Sequence, residues 1–441
     1  MRSDSSSAVP TSYARYTGYL VYFVIAALPL SFAIADILMD LAHYQTYRVR
    51  REFTGYSQVV LIALLLWGCL KNCRNFDLRI LGLMAVPILV LAGLYLIHPP
   101  IGPADEIAST LWRWTLIFLF ALVFYGAVAS GAIAIRARGV VTALVVGASL
   151  YSLFALAFHF GFGHLEQLNK NDLIGFGNVR SSTRLLTPVM MCAIVMFTLP
   201  GVGAKTRWFF LSAALLMSVL SGYTGSRSII LALVSISILA ALLSPNFRYL
   251  RIAIAVIATL AIGVAVADFV PLVLRWLSAT GTPAVSGSLD VFRYSSSGRN
   301  WVWAEILQLA LQRPFFGWGG VDFDSQTVGH LSNAHNIVLQ IFYEVGLVGL
   351  VSMAILAALF LLRVLRIVRD KAASPYVTAT ALAACAIMAD ALVSPALWFQ
   401  YSAFLFVVLV VMTLTAKQDP RPVGNAVPRG AEGPADSEAA G

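Results

Sequence analysis

The sequence predicts an all-α integral membrane protein of about twelve transmembrane helices. Three observations lead there. Of 441 residues, 59% are hydrophobic and only 12% are charged, where soluble chains carry about twice that charged share. The mean hydropathy is +0.82. Apolar runs of about twenty residues, the length needed to cross a hydrocarbon layer of about 30 Å, follow one another along the chain.

These runs place spans at 17–35, 56–70, 78–97, 112–135, 140–161, 185–200, 208–222, 229–243, 250–272, 337–362, 376–394 and 398–415. Between the ninth and tenth lies the longest polar interval, a large outer loop over 273–335 with short helices inside it. Residues 16–415 therefore form one polytopic domain. The polar, Ser-rich segment 1–15 and the Pro-, Ala- and Gly-rich segment 416–441 read as disordered cytoplasmic tails. Ala33-Ile34-Ala35 at the end of the first span imitates a signal-cleavage site, but we expect a retained helix, since a polytopic chain needs no cleaved leader.

The basic residues set the orientation. With both termini in the cytoplasm, the inner loops hold Lys71, Arg74, Arg79, Arg136, Arg138, Lys205, Arg207, Arg248, Arg251, Arg363, Arg366, Arg369 and Lys371. The outer loops hold most acidic residues and the histidines, apart from His159 near the outer end of span five. Arg48, Arg50 and Arg51 run against this count. The net charge of +9 is thus a topological signal with some affinity for anionic lipids, and nothing in it suggests nucleic acid. The four cysteines (Cys69, Cys73, Cys192, Cys385) lie in or beside spans without the histidines or second pair that would complete a metal set. No internal repeat, P-loop or GxGxxG occurs.

Most outer-loop features have a plain explanation. Asp36 and Asp40 stand four apart, but Arg48, Arg50 and Arg51 offer them ion pairs, so a solvated helix end is the better reading than a metal site. Asp105 and Glu106 suit the first turn of a helix, where acids complement the dipole. Asp322-x-Asp324 is too common a spacing to carry a metal assignment. No metal or other cofactor is expected.

The arginines are different. Spans six, eight and ten all run from outside to inside, so each turns its N-terminus, the positive end of its dipole, outward. Arg180 and Arg184 at the entrance of span six share a face, and Arg227 opens span eight after the tight Gly222–Ser226 turn. Arg299 would open an amphipathic helix over Asn300–Gln312, with Val302, Ile306, Leu309 and Ala310 on the side toward the outer leaflet. A cation at a helix N-terminus is locally unfavourable. Several together suggest an anion site in which guanidinium forks and helix ends meet phosphate oxygens; the competing reading is that each snorkels to a lipid headgroup. Gly317-Trp318-Gly319-Gly320 permits a tight, close-approaching backbone. His335, at the start of span ten, feels a positive dipole that disfavours imidazolium, leaving a neutral ring able to accept a proton. By itself it could equally cap the helix.

Ser226-Arg227-Ser228, Arg299-Asn300-Trp301, Pro314 with Gly317-Trp318-Gly319, and His335-Asn336 followed by Gly346-Leu347-Val348-Gly349 together resemble, in order and spacing, the O-antigen ligase and polymerase superfamily of membrane glycosyltransferases. The resemblance covers about residues 180–400. It implies a GT-C-like, polytopic enzyme of the bacterial inner membrane with a periplasmic active site. A ligase of that kind transfers polysaccharide from undecaprenyl diphosphate to a sugar of the lipid A core, without metal and with inversion. Carried over, Arg227 and Arg299 would bind the diphosphate and His335 would deprotonate the acceptor; Arg184 and Arg180 are added on the helix-end argument. A polymerase or a protein O-oligosaccharyltransferase would use the same donor. No outer arginine has glycine eleven positions on, a pattern of some polymerases, which favours a ligase. A transporter for lipid-linked glycans would bury ionisable groups at mid-membrane, where Asp390 is the nearest candidate.

Overall fold

The computed structural model describes residues 12–41, 59, 62, 63, 65, 104–161, 179–278, 299–319 and 334–416. Among them all regular structure is helical. The helices are α1 (Ser12–Leu41), α2 (Ala104–Ala129), α3 (Ala137–Gly161), α4 (Val179–Thr198), α5 (Ala204–Thr224) and α6 (Arg227–Leu243). They continue as α7 (Phe247–Ser278), α8 (Arg299–Gln312), α9 (Ile337–Arg369), α10 (Pro375–Ala391) and α11 (Gln400–Thr415), with a 3-10 turn at Ala396–Trp398. By length and composition Ala137–Phe158, Phe247–Ala267 and Ile337–Arg369 can cross a membrane, and five further helices are apolar but shorter. The described residues are therefore those of a helical membrane protein. Of the expected spans at 56–70 and 78–97, only positions 59, 62, 63 and 65 are described, and all four are helical.

The bundle is built around α4 and α10. Every residue from Leu185 to Met196 and from Thr378 to Ile387 is buried, so both helices are enclosed on all sides, as a helix apolar around its whole circumference must be. They pack on each other and against α3 and α6. The Cys192 thiol lies 3.7 Å from the carbonyl of Ala379, which sets their antiparallel register. Next to them α5 and α7 meet at glycines: a methyl on Gly222 would stand 2.9 Å from the Gly263 carbonyl, and one on Gly263 would stand 2.3 Å from Ser218 Oγ. Small residues at such crossings let two membrane helices approach closely enough to pack without a hydrophobic driving force.

The two ends of the bundle use arginine differently. At one end cations meet helix C-termini. Arg207 donates to Leu199 O after α4 (3.2 Å), Arg248 to Lys371 O after α9 (3.1 Å), and Arg363 to Ala416 O after α11 (2.9 Å). Those carbonyls have no intrahelical donor and carry the negative end of the dipole, so the pairing is favourable twice over. The residues read from the sequence as orienting charges therefore also cap helices. At the other end lie the N-termini of α4 and α6, with Arg184 and Arg227.

Helix α9 is broken. Gly346 has φ 64° and ψ −163° inside it, a conformation L residues avoid. The backbone groups released by the break pair with the segment after α8. Trp318 N–H donates to Tyr343 O (2.8 Å), Gly319 N–H to Glu344 O (2.8 Å), Leu347 N–H to Pro314 O (2.7 Å) and Val348 N–H to Phe315 O (3.2 Å). The sequence reading of span ten as a single helix from 337 is right in its start and wrong in its continuity. Two glycines make the exchange possible. A methyl on Gly346 would lie 2.4 Å from Phe315 C, and one on Gly317, at φ 71°, 2.5 Å from Glu344 C.

Gly346→Ala should therefore cost about 1–3 kcal/mol for this essentially glycine-only backbone conformation alone and more for the displaced Pro314–Gly319 strap. Gly203, at φ −62° with nothing within 4 Å of an added methyl, is the control. In detergent, Gly346→Ala should melt well below wild type and Gly203→Ala should match it. Equal Tm for Gly346→Ala and wild type would overturn this account of the break.

Candidate functional site

Each expected arginine can now be placed. Helix α4 begins at Val179, so Arg180 and Arg184 both lie in its first two turns, as the spacing predicted; the side chain of Arg180 lies outside the described residues. The Arg184 guanidinium carbon sits 3.2 Å from the ring centroid of Phe399, the residue joining the 3-10 turn to α11. A cation over an aromatic face is attracted by the ring quadrupole and held in place. Pro188 lies one turn further on in α4. Having no N–H, it cannot close the usual bond to the Arg184 carbonyl, which loosens the helix at this level.

Arg227 is the first residue of α6, after Gly225 at φ 62°, and its side chain is exposed. The Ser221 hydroxyl reaches Met190 Sδ at 3.5 Å. Because α4 and α5 run in opposite directions, that contact carries the Gly225–Arg227 turn to the level of Arg184. Asp390, in the last turn of α10 and 1% exposed, belongs to the same end, since Ala379 near the start of α10 is level with Cys192 near the end of α4. The structure thus brings Arg184 and Arg227 to one end of the bundle from separate helices.

Arg299 opens α8 as expected, and its side chain lies outside the described residues. The stripe along α8 does not behave as expected. Val302, Ile306 and Ala310 are buried against Ala334 and Tyr343, with Leu309 packed beside them, so this face is taken by protein and not by the leaflet. A neighbouring row, Leu307, Leu311, Phe315 and Phe316, is exposed instead. It adjoins the exposed Leu347, Val351, Ile355 and Leu359 of α9 through the strap hydrogen bonds at Leu347 and Val348. The buried partner α9 was absent from the sequence argument, which assumed that an apolar face near a membrane meets lipid.

His335 stands immediately before α9 and takes φ 51°, the positive φ of a non-glycine residue. Such a backbone costs about 1 kcal/mol or more and persists only where its surroundings fix it. Three side chains fix it here. Asn336 caps α9, its Oδ1 accepting from Val338 N–H (2.9 Å) and Leu339 N–H (3.2 Å). Trp303 Nε1 of α8 donates to the Ala334 carbonyl (3.0 Å). Gln340 Oε1 accepts from the Ala334 N–H (2.8 Å). Behind them, Gln340 Nε2 donates to Glu344 Oε1 (2.6 Å), and Trp318 Nε1 ties the strap to α8 through Leu309 O (2.8 Å). The next residue, Ile337, packs on the main bundle core.

Sequence reasoning missed Phe399, Trp303, Gln340 and Glu344. Gln340 and Glu344 left a signal: two polar residues four apart on one face of a membrane span are costly unless they have partners. The others left none, because their roles depend on a distant element arriving. Asp36 and Asp40 fall on α1, but their side chains, like residues 322 and 324, lie outside the described residues. Among the described residues no three His, Cys, Asp or Glu side chains gather as a metal set.

No curated protein matches the chain. Residues 212–354, from the middle of α5 through α6, α7 and α8 to Ala354 of α9, match a family model described as O-antigen ligase. Arg227, Arg299 and His335 fall inside that segment, while Arg180 and Arg184 lie before it. The break in α9 and its strap also lie within the segment that is similar to this family.

Proposed function

We propose that this protein transfers a polysaccharide from undecaprenyl diphosphate to a sugar hydroxyl of the lipid A core, at the periplasmic face of the bacterial inner membrane. The observation that carries the reading is the backbone of His335, held at φ 51° at the N-terminus of a membrane helix within the segment that matches the family. A left-handed histidine clamped by three side chains is what an oriented base requires.

In this mechanism Arg227 and Arg299, with Arg184 and Arg180, bind the diphosphate of the donor. The chemistry fits the groups. Guanidinium forks match phosphate oxygens, and the N-terminus of α6 adds backbone N–H groups directed at the same charge. The acceptor oxygen attacks the anomeric carbon while its proton passes to the neutral His335 ring. The bond from that carbon to the diphosphate oxygen breaks on the opposite face, and undecaprenyl diphosphate departs with the electron pair. Attack from one face and departure from the other invert the anomeric centre. Arginines can stabilise charge on a leaving group that is already a diphosphate, so no metal is needed.

His335→Ala should leave the protein inserted and lower transfer by about 10²–10⁴-fold. In cells this reads as loss of polysaccharide-capped lipopolysaccharide on a gel, with the lipid-linked polymer accumulating. Normal capping would remove His335 from catalysis, and core bearing a single repeat would identify a polymerase.

Transfer by the purified protein should also persist in excess EDTA. A strict need for Mg²⁺ or Mn²⁺ would defeat the metal-independent mechanism and return attention to Asp36, Asp40, Asp322 and Asp324.

A further inference from the structure

We propose that Gln340 and Glu344 are positioning residues for His335. This rests on the reading of His335 as the base and names what aims it. Both side chains are 3% exposed, inside a span where an amide and a carboxyl group have little reason to be unless they serve something. Their hydrogen bonds run in one direction along the chain. Glu344 Oε1 accepts from Gln340 Nε2 at 2.6 Å, and Gln340 Oε1 accepts from the N–H of Ala334 at 2.8 Å. Ala334 is the residue before His335.

The carboxyl group decides which way the Gln340 amide faces. An amide can present oxygen or nitrogen to either side. With an acceptor at Glu344, the NH₂ group turns to it, and the oxygen is left facing the Ala334 N–H. That N–H and the Ala334 carbonyl held by Trp303 are the polar groups of the residue from which the chain enters the left-handed turn at His335. The link continues to the strap, because the Glu344 carbonyl accepts from Gly319 N–H. The break at Gly346 and the aim of His335 are therefore fixed by the same residue, Glu344, through its backbone and its side chain.

The test exchanges the pair in the full-length protein, in nanodiscs, with undecaprenyl-diphosphate-linked polysaccharide as donor and core-lipid A as acceptor. Gln340→Glu alone replaces the NH₂ donor to Glu344 by a second carboxyl group, so the pair must repel or share a proton, and the acceptor facing the Ala334 N–H is no longer fixed. It should lower kcat by about 10²-fold, the scale of a displaced catalytic group, with the donor KM unchanged. Gln340→Glu combined with Glu344→Gln restores both hydrogen bonds: the carboxylate at 340 accepts from Ala334 N–H and from the amide at 344. The double variant should recover most of kcat. A wild-type kcat for Gln340→Glu, a loss confined to KM, or a double variant no better than the single one would overturn the proposal. If the single variant fails to insert, the double variant still decides the matter by its kcat. His335→Ala, run alongside, separates the two claims: if it retains transfer the catalytic reading fails, whereas if it abolishes transfer while Gln340→Glu does not, only the positioning role fails.

Discussion

A helix that breaks inside a bilayer releases N–H and C=O groups where no water can meet them, and each one left unsatisfied costs several kcal/mol. The break at Gly346 avoids that cost because the segment after α8 returns to the span. Pro314, Phe315, Trp318 and Gly319 take up the backbone groups on both sides of the break. The segment is therefore part of the membrane helix in every sense but sequence order. Its place is closed to variation by close approach of backbone to backbone: both glycines adopt positive φ, and both would drive a methyl into a facing main chain. The stacking of Trp318 on Tyr343 and the Arg313 guanidinium 4.2 Å from the Trp318 ring close the join from its two sides.

The contrast between the ends of the bundle gives the arginines their meaning. Where Arg207, Arg248 and Arg363 donate to helix C-terminal carbonyls, local electrostatics explains them, and no ligand has to be invoked. Arg227 opens α6, where the same electrostatics works against it, and Arg184 lies in the second turn of α4, where that effect is weaker. Phe399 offsets part of this for Arg184 without neutralising its charge. A polyanion arriving at this end would meet two guanidinium groups and the N-termini of α4 and α6. That is a physical reason for a phosphate-bearing donor to choose this end.

Helix positions were legible in the sequence because apolar runs and their flanking charges are local signals. The starts of α6 and α9 fell where Arg227 and His335-Asn336 placed them, and α4 proved to have begun by Arg180. The break in α9 was not legible. Glycine is frequent in membrane helices, and nothing local separates a Gly346 that bends the chain from one that packs a neighbour. The amphipathic stripe of α8 was read correctly as a stripe and assigned to the wrong partner, since periodicity reports that a face is buried and not what buries it. Gln340 and Glu344 could be noticed as a polar pair in a span, but the task of Gln340 was not legible for a related reason: it concerns Ala334, six residues back across a turn whose geometry only the fold reveals.

The parts of the proposed site thus divide by how they are held. Arg184 and Arg227 belong to the bundle, where α4 is enclosed on all sides and α6 packs against α7 and α10. Arg299 belongs to α8, and α8 is fastened to the entry of α9 by Trp303 and to the strap by Trp318. His335 lies at the join, with Trp303 and Gln340 on the residue before it and Ile337 on the bundle core just after it. A shift of α8 relative to the bundle would pull on the Ala334 carbonyl and so on the backbone that aims His335. In the transfer we propose, the attacking oxygen, the anomeric carbon and the leaving oxygen must stand nearly in line with the base in reach of the acceptor proton, and that coupling would make α8 a part of the alignment.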